Sequence, residues 1–89
     1  MTLLELIKSL VACITRIRGK LTCEDWEAVK KERAKLLSLV EFSQSFLKVY
    51  EVNSLTKFFR KKRLEYLISM GNRLLEYSSA KLASKIRKV

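Results

Sequence analysis

The chain of 89 residues carries 19 Lys and Arg against 9 Asp and Glu, and it contains no His and no Pro. A chain of this length has room for one modest core, so we expect residues 1–89 to form a single domain. The absence of His excludes a Ser-His-Asp triad and an HExxH zinc site. We expect no catalytic residue, no metal and no cofactor. The longest uncharged runs, Ser9–Thr15 and Tyr66–Asn72, are too short to cross a bilayer.

The first predicted helix covers residues 3–18. Thr2 and Glu5 have the spacing of a capping box, and no proline interrupts the backbone hydrogen bonds that follow. Apolar residues then recur in steps of four and three, at Leu3, Ile7, Leu10, Ile14 and Ile17. Gly19 is expected to end this helix, because glycine takes a positive φ without steric cost.

A second helix is predicted from Cys23 to about Tyr50. Thr22 is the expected N-cap, and Leu21 and Trp26 have the spacing of a hydrophobic staple. The acidic side chains of the first turn, Glu24, Asp25 and Glu27, are interpreted as partners of the helix dipole rather than as a metal cluster.

The second half of this helix has an apolar face wider than one neighbour requires. Its members are Leu36, Leu39, Val40, Phe42, Phe46, Leu47, Val49 and Tyr50. This width predicts either a central helix packed against two others or a helix that also contacts another protein. Within the face, a partner interface is predicted at Phe42, Phe46, Val49 and Tyr50.

The second break is predicted at Val52–Ser54, with Asn53 or Ser54 capping a third helix over residues 55–87. Its apolar seam is Leu64, Ile68, Gly71, Leu75, Ser78, Leu82 and Ile86, and a kink or restart is expected near Gly71. Lys57 and Arg60 fall on the continuation of the seam, so the helix should turn near residue 63 or leave the bundle there. The predicted fold is therefore an all-α bundle of three main antiparallel helices.

The predicted helices differ in length, at about 24 Å for the first and about 50 Å for the third. The surplus of the third helix must be exposed, kinked, or covered by a partner or a second copy of the chain. A homo-oligomer is therefore left open.

Cys13 and Cys23 are expected to be reduced, small packing residues, although a disulfide between them is left open. The N-terminal stretch resembles a secretory signal, but Glu5 and Lys8 interrupt it. We therefore expect an intracellular, cytoplasmic protein.

The positive charge is concentrated in the last helix, since residues 53–89 hold ten basic and two acidic side chains. Half of these bases lie in Lys57–Arg63, and such a block repels itself unless anions are close. Nucleic-acid phosphates are the anions that we expect to meet it. The predicted contact residues are Lys57, Arg60, Lys61, Lys62, Arg63, Arg73 and Lys81.

Bases and aromatic residues alternate along a second stripe of the last helix, more than 90° from the seam. It contains Phe59, Arg63, Tyr66, Met70, Arg73, Tyr77, Lys81 and Lys88. Phe59, Tyr66 and Tyr77 could stack on the bases of a single strand. In the alternative interpretation, the aromatic residues and Met70 are core residues that face a second helix, with the bases at its edge.

Nucleic acid is not the only partner that a basic helix can have. A membrane surface is disfavoured because bases surround Leu55–Arg63 instead of lying opposite an apolar face. An acidic protein segment, which the same cluster would attract, and a solvated charged face without a ligand are both left open.

The chain contains no helix-turn-helix spacing, zinc finger or P-loop. With its amphipathic first half and its basic stretches Lys57–Arg63 and Ser84–Val89, it resembles the small helical accessory subunits of archaeal family-B DNA polymerases. It is also similar to the small helical domain of replication-complex scaffold subunits. The first resemblance implies a non-catalytic helper that binds a polymerase, DNA or both.

We therefore expect a non-enzymatic accessory or adaptor subunit of a DNA replication or repair complex, which binds phosphates without sequence specificity and a larger protein such as a polymerase. The alternative is a protein-interaction module that docks on an acidic partner and binds no nucleic acid.

Overall fold

The computed structural model describes the backbone of residues 2–87 and the side chains of residues 2–84. It contains three helices, α1 (Leu3–Thr22), α2 (Trp26–Val49) and α3 (Leu55–Arg87), and no strand among the described residues. Short connections make successive helices antiparallel. The bundle is a rod of 53 × 19 × 17 Å. The predicted all-α fold of three helices is confirmed.

Helix α1 begins as predicted. The hydroxyl oxygen of Thr2 accepts a hydrogen bond from the backbone N–H of Glu5 at 3.2 Å. All five predicted apolar positions of α1 are buried, and Leu6 and Cys13 join them in the core. These side chains form the largest single contribution to a core that also contains residues of α2 and α3.

The end of α1 was wrongly predicted. The helix runs through Gly19 to Thr22, because Leu21 continues the apolar spacing and packs against the core. Glu24, and not Gly19, takes a positive φ, of 58°. The N–H of Asp25 donates to the carbonyl of Lys20 at 3.0 Å, and that of Glu24 donates to Leu21 at 3.2 Å. These are the two hydrogen bonds of a Schellman motif, here with Glu in the place that glycine usually occupies.

Helix α2 consequently begins at Trp26 rather than at Cys23. Its N-cap is Asp25, whose carboxylate accepts the N–H of Ala28 at 3.3 Å. Thr22, the predicted cap, instead donates its hydroxyl to the carbonyl of Arg18 at 2.9 Å. Since Trp26 is the first residue of α2, it does not occupy the position that a staple with Leu21 requires.

The two cysteines have different environments. Both thiols are free, and Cys13 is buried as expected. Cys23 is exposed in the turn, so the prediction that it packs in the core was wrong.

Helix α3 has the predicted bounds and begins at the predicted cap. Ser54 accepts the N–H of Lys57 at 3.2 Å. The seam residues from Leu64 to Leu82 are buried, and Ile86 lies outside the described side chains. Backbone helix runs without a break through Gly71 and Asn72, so the predicted restart does not occur and a kink is not confirmed.

Gly71 is a contact point between α2 and α3. A Cβ atom added there would lie 3.1 Å from Cγ2 of Val40 and 3.5 Å from Cδ1 of Leu36. Both of these side chains are buried. The glycine therefore lets the two helices approach closely.

A polar contact also joins α2 to α3. Arg33 donates from Nε to the hydroxyl of Ser78 at 2.7 Å and from a terminal nitrogen to the carbonyl of Leu75 at 3.1 Å. The Ser78 hydroxyl in turn donates to the same carbonyl at 3.1 Å. Ser43, the other buried polar residue, donates to the carbonyl of Leu39 within α2 at 2.6 Å.

Glu32 joins α2 to α1. Its carboxylate lies 3.1 Å from Nε of Arg16 and 3.6 Å from Nζ of Lys35. The thiol of Cys13 lies 3.6 Å from the backbone carbonyl oxygen of Glu32. Desolvation alone would raise the pKa of Glu32, but the hydrogen bond and charge of Arg16, together with Lys35, outweigh it and lower the pKa. Burial, followed by the charge of Glu32, raises the pKa of the Cys13 thiol.

Helix α3 determines the length of the molecule. At 1.5 Å per residue it measures about 50 Å, against about 30 Å for α1 and about 36 Å for α2. Its first turns carry the exposed apolar side chains Leu55, Phe58 and Phe59. The expected surplus of α3 is therefore partly exposed.

The two glycines should respond differently to replacement by alanine. An added Cβ at Gly19, which is exposed and helical, meets nothing within 4 Å. Gly19→Ala should therefore raise the free energy of unfolding by about 1 kcal/mol, the difference in helix propensity. Gly71→Ala gains the same propensity but presses on Val40, which is stiff and buried, so it should give less or none of this increase. Urea unfolding followed by circular dichroism measures both. An equal increase at Gly71 would contradict the close contact of α2 and α3.

The Glu32 contacts should make stability depend on pH. Because the folded pKa of Glu32 is lowered, its contribution is complete above the unfolded value of about 4.5 and is lost as the pH falls through the folded pKa. Glu32→Gln should therefore lower the urea midpoint at pH 7 and match the unmodified protein at about pH 2.5. The control is Glu65→Gln, which removes a carboxylate 3.6 Å from Lys62 in the interior of α3, away from any helix N-terminus, and should change little. If Glu32→Gln lowered the urea midpoint equally at both pH values, the ionised carboxylate of Glu32 would not be the source of the stability.

Candidate nucleic-acid interface

The surface along the contact of α1 and α3 contains a series of shallow grooves. The first is lined by Leu4, Ile7, Lys8, Val11, Ala12, Arg60 and Arg63. Further along, two grooves share Arg18, Leu74 and Tyr77, and their other lining residues are Leu21, Thr22, Tyr66, Met70 and Arg73. We call this surface, from Leu4 and Arg60 at one end to Thr22 and Tyr77 at the other, the α1–α3 face.

The aromatic stripe of α3 lies on this face and is open to solvent. Phe59, Tyr66 and Tyr77 are 61%, 65% and 55% exposed, and Met70 is half-buried. The alternative interpretation of these aromatic rings as core residues was therefore wrong. The core side of α3 is already filled by its contacts with α1 and α2, so the stripe faces no further helix of the bundle.

Helix α1 adds bases that the sequence analysis did not include. Arg18 lines a groove together with Tyr66, Arg73 and Tyr77 of α3. Lys8 lines the first groove opposite Arg60. The available sequence signal was the seven-residue spacing of Leu4, Val11 and Arg18, which places the three on one edge of a helix.

Acidic side chains do not line these grooves in the described part of the chain. Helix α3 has two acidic residues, and both lie elsewhere. Glu65 is 3.6 Å from Nζ of Lys62, and Glu76 lines a groove with Arg33 on the side of α2. The six bases of or beside the α1–α3 face are Lys8, Arg18, Arg60, Arg63, Arg73 and Lys81. The face is therefore strongly electropositive.

The basic block Lys57–Arg63 does not form one patch, because successive residues of a helix point 100° apart. Arg60 and Arg63 point toward α1. Lys57 and Lys61 are half-buried, and α3 continues as unbroken helix through residue 63, so the predicted turn there does not occur. Lys62 lies 5.6 Å from the centre of the Phe58 ring and beside Glu65.

Contacts between cations and aromatic rings hold parts of the stripe in place. Nζ of Lys81 lies 5.5 Å from the centre of the Tyr77 ring. The rings of Phe58 and Phe59 meet edge to face at 5.7 Å. The rings of Tyr66 and Tyr77 are exposed and share a groove with Arg73, and because Lys81 lies over one face of the Tyr77 ring, a nucleic-acid base would stack on the other face.

The predicted partner interface on α2 is a ladder of rings rather than a flat patch. Phe46 stacks on Tyr50 at 5.5 Å, and Phe42 lies 6.4 Å from Phe46. Phe46 and Tyr50 pack partly against the core, whereas Phe42 and Val49 are exposed. Only part of the predicted interface is therefore accessible to another protein.

Side chains that could bind a metal ion do not cluster in the described residues. No group of three or more His, Cys, Asp or Glu side chains converges there. Among those residues, too, no helix is long and apolar enough to span a membrane.

Comparisons of the chain with known protein families, curated proteins and solved structures find no match.

Proposed function

We propose that the protein is a non-enzymatic accessory or adaptor subunit of a nucleic-acid-processing complex, such as one of DNA replication or repair. It contacts phosphates and unstacked bases through the α1–α3 face, and it also binds a larger protein, such as a polymerase. The resemblance to accessory subunits of archaeal family-B polymerases agrees with this role.

The observation that carries the proposal is the composition of the α1–α3 face. Six bases from two helices lie along the grooves or beside them, and no acidic residue among the described ones lines those grooves. Like charges along one face repel one another, and each raises the free energy of the folded protein unless counterions gather there. A polyanion relieves this repulsion and releases the counterions condensed on its own backbone.

The exposed rings favour a single strand over a duplex. Tyr66 and Tyr77 are separated by eleven residues of helix, which is about 16 Å. Unstacked bases offer ring faces that Tyr and Phe side chains stack on, with about 1–3 kcal/mol per base. In a duplex those faces are hidden, so the rings would contribute little.

The bases around Tyr66 and Tyr77 should determine how binding depends on salt. We choose a variant in which Arg18, Arg73 and Lys81 are all changed to Gln. On a labelled single-stranded oligonucleotide, the slope of log K against log salt should become shallower by about 2, since each neutralised phosphate of a single strand contributes about 0.7. Fluorescence anisotropy at several salt concentrations measures the slope.

The matched control changes Lys20, Lys31 and Lys48 to Gln, three exposed lysines that do not line the α1–α3 face. It lowers the net charge by the same amount and should leave most of the slope intact. Equal slopes for the two variants would contradict the assigned face. If the unmodified protein ignores oligonucleotides even in dilute buffer, the alternative role, docking on an acidic protein without nucleic acid, replaces the proposal.

A further inference from the structure

The first groove of the α1–α3 face differs in chemistry from the rest of that face. Its floor consists of aliphatic side chains of α1, and no aromatic ring lines it. Leu4 and Val11 remain 45% and 39% exposed there, although both are large and apolar. The groove is open to solvent and has a volume of about 530 Å³. Aliphatic side chains offer phosphates and base edges neither charge nor hydrogen bonds, so nucleic acid would leave this floor unused.

The floor has the repeat of a helix-binding groove. Leu4 and Val11 are seven residues apart on one edge of α1, which is about 10 Å. A partner helix with apolar residues at positions i, i+4 and i+7 presents anchors over the same distance. Covering the exposed surface of Leu4 and Val11 would remove apolar area from water, which favours binding.

The rim of the groove is entirely basic. Lys8 rises from α1, and Arg60 and Arg63 rise from α3 on the other side. No acidic side chain of the described residues lines it. A carboxylate on either flank of an apolar anchor would therefore meet a cation, and guanidinium groups bind carboxylates with two parallel hydrogen bonds.

We propose that this groove binds a short amphipathic helix of a partner protein, with apolar side chains on one face and Asp or Glu on both flanks. This inference rests on the partner-binding half of the proposed function and names the chemistry of that partner. It assigns Leu4, Val11, Arg60 and the neighbouring Arg63 to the protein partner. Nucleic acid then occupies the aromatic part of the face, around Tyr66, Arg73 and Tyr77.

The probe is a designed, fluorescein-labelled peptide of 15 residues with Leu at i, i+4 and i+7 and Glu on both flanks. A scrambled peptide of the same composition is its control. Anisotropy titrations of the full chain should show binding of the patterned peptide at least about tenfold tighter than that of the scrambled one. Equal affinity for the two peptides would overturn the proposal.

A pair of matched variants locates the peptide. Leu4→Gln with Val11→Gln removes the apolar floor without changing the charge, and it should weaken peptide binding at least about tenfold. The control is Leu37→Gln with Val52→Gln, which removes a Leu of α2 and a Val of the following loop at 48% and 40% exposure, neither of which lines the groove. It should bind the peptide as tightly as the unmodified protein. Circular dichroism verifies that both variants are folded. An equal loss of peptide affinity in the two variants would contradict binding of the peptide in this groove.

A charge exchange tests the rim without disturbing the floor. The protein with both Arg60→Glu and Arg63→Glu should no longer bind the Glu peptide. It should instead bind a peptide in which every Glu is replaced by Lys. If the exchanged protein does not prefer the Lys peptide, the rim has no role in recognition and the proposal fails.

Oligonucleotide binding separates this proposal from the proposed function. The Leu4→Gln, Val11→Gln protein should bind the single strand as the unmodified protein does. If it loses the oligonucleotide as severely as the peptide, the groove belongs to the nucleic-acid site and the inference is wrong. A protein that binds the peptide in this pattern but no oligonucleotide would refute only the nucleic-acid half of the proposed function.

Discussion

The close contact of α2 and α3 at Gly71 fixes the rotation of α3 about its own axis. Val40 and Leu36 lie against the glycine, at distances that leave little room for a side chain. A few residues further on, Arg33 reaches across to Ser78 and the carbonyl of Leu75. With these two points held, α3 cannot roll, and the side of the helix opposite the seam must face solvent. That side carries Tyr66 and Tyr77.

This arrangement converts an ordinary helix into a functional surface. A bundle of three helices covers only one side of its longest member, and here the uncovered side combines rings with positive charge. Helix α1 borders it with Lys8 and Arg18, while the acids of α3, Glu65 and Glu76, are turned away. The separation of charge therefore follows from helix geometry. It explains how a single domain could address a polyanion and a protein along one face.

The sequence predicted the helices well where spacing and capping agreed. Thr2 and Ser54 cap α1 and α3 as expected, and the seam of α3 is buried from Leu64 to Leu82. The prediction that α1 ends at Gly19 was wrong, because the preference of glycine for positive φ was weaker than the gain from packing Leu21. Gly71 was assigned to a kink, although its role is the approach of α2. Nothing within the sequence of a single helix reveals which residue will lie against a glycine.

The site was predictable only in part, for a similar reason. The alternation of rings and bases on α3 is visible in the sequence, but whether that stripe faced water or another helix depended on how the bundle packs. The contribution of Arg18 and Lys8, and the dispersal of Lys57–Arg63 around the helix, follow from the contact of α1 with α3. Contacts between distant segments are not encoded in any local pattern of residues.

The measurement that tests this account most directly is photocrosslinking to a single-stranded oligonucleotide that contains 5-bromouracil, followed by mass spectrometry of the peptides. Crosslinks should map to Tyr66 and Tyr77, with Phe59 as a further site, because these are the exposed rings beside the bases of the α1–α3 face. Crosslinks confined to Phe42, Phe46 or Tyr50 would place the strand on α2 and contradict the account.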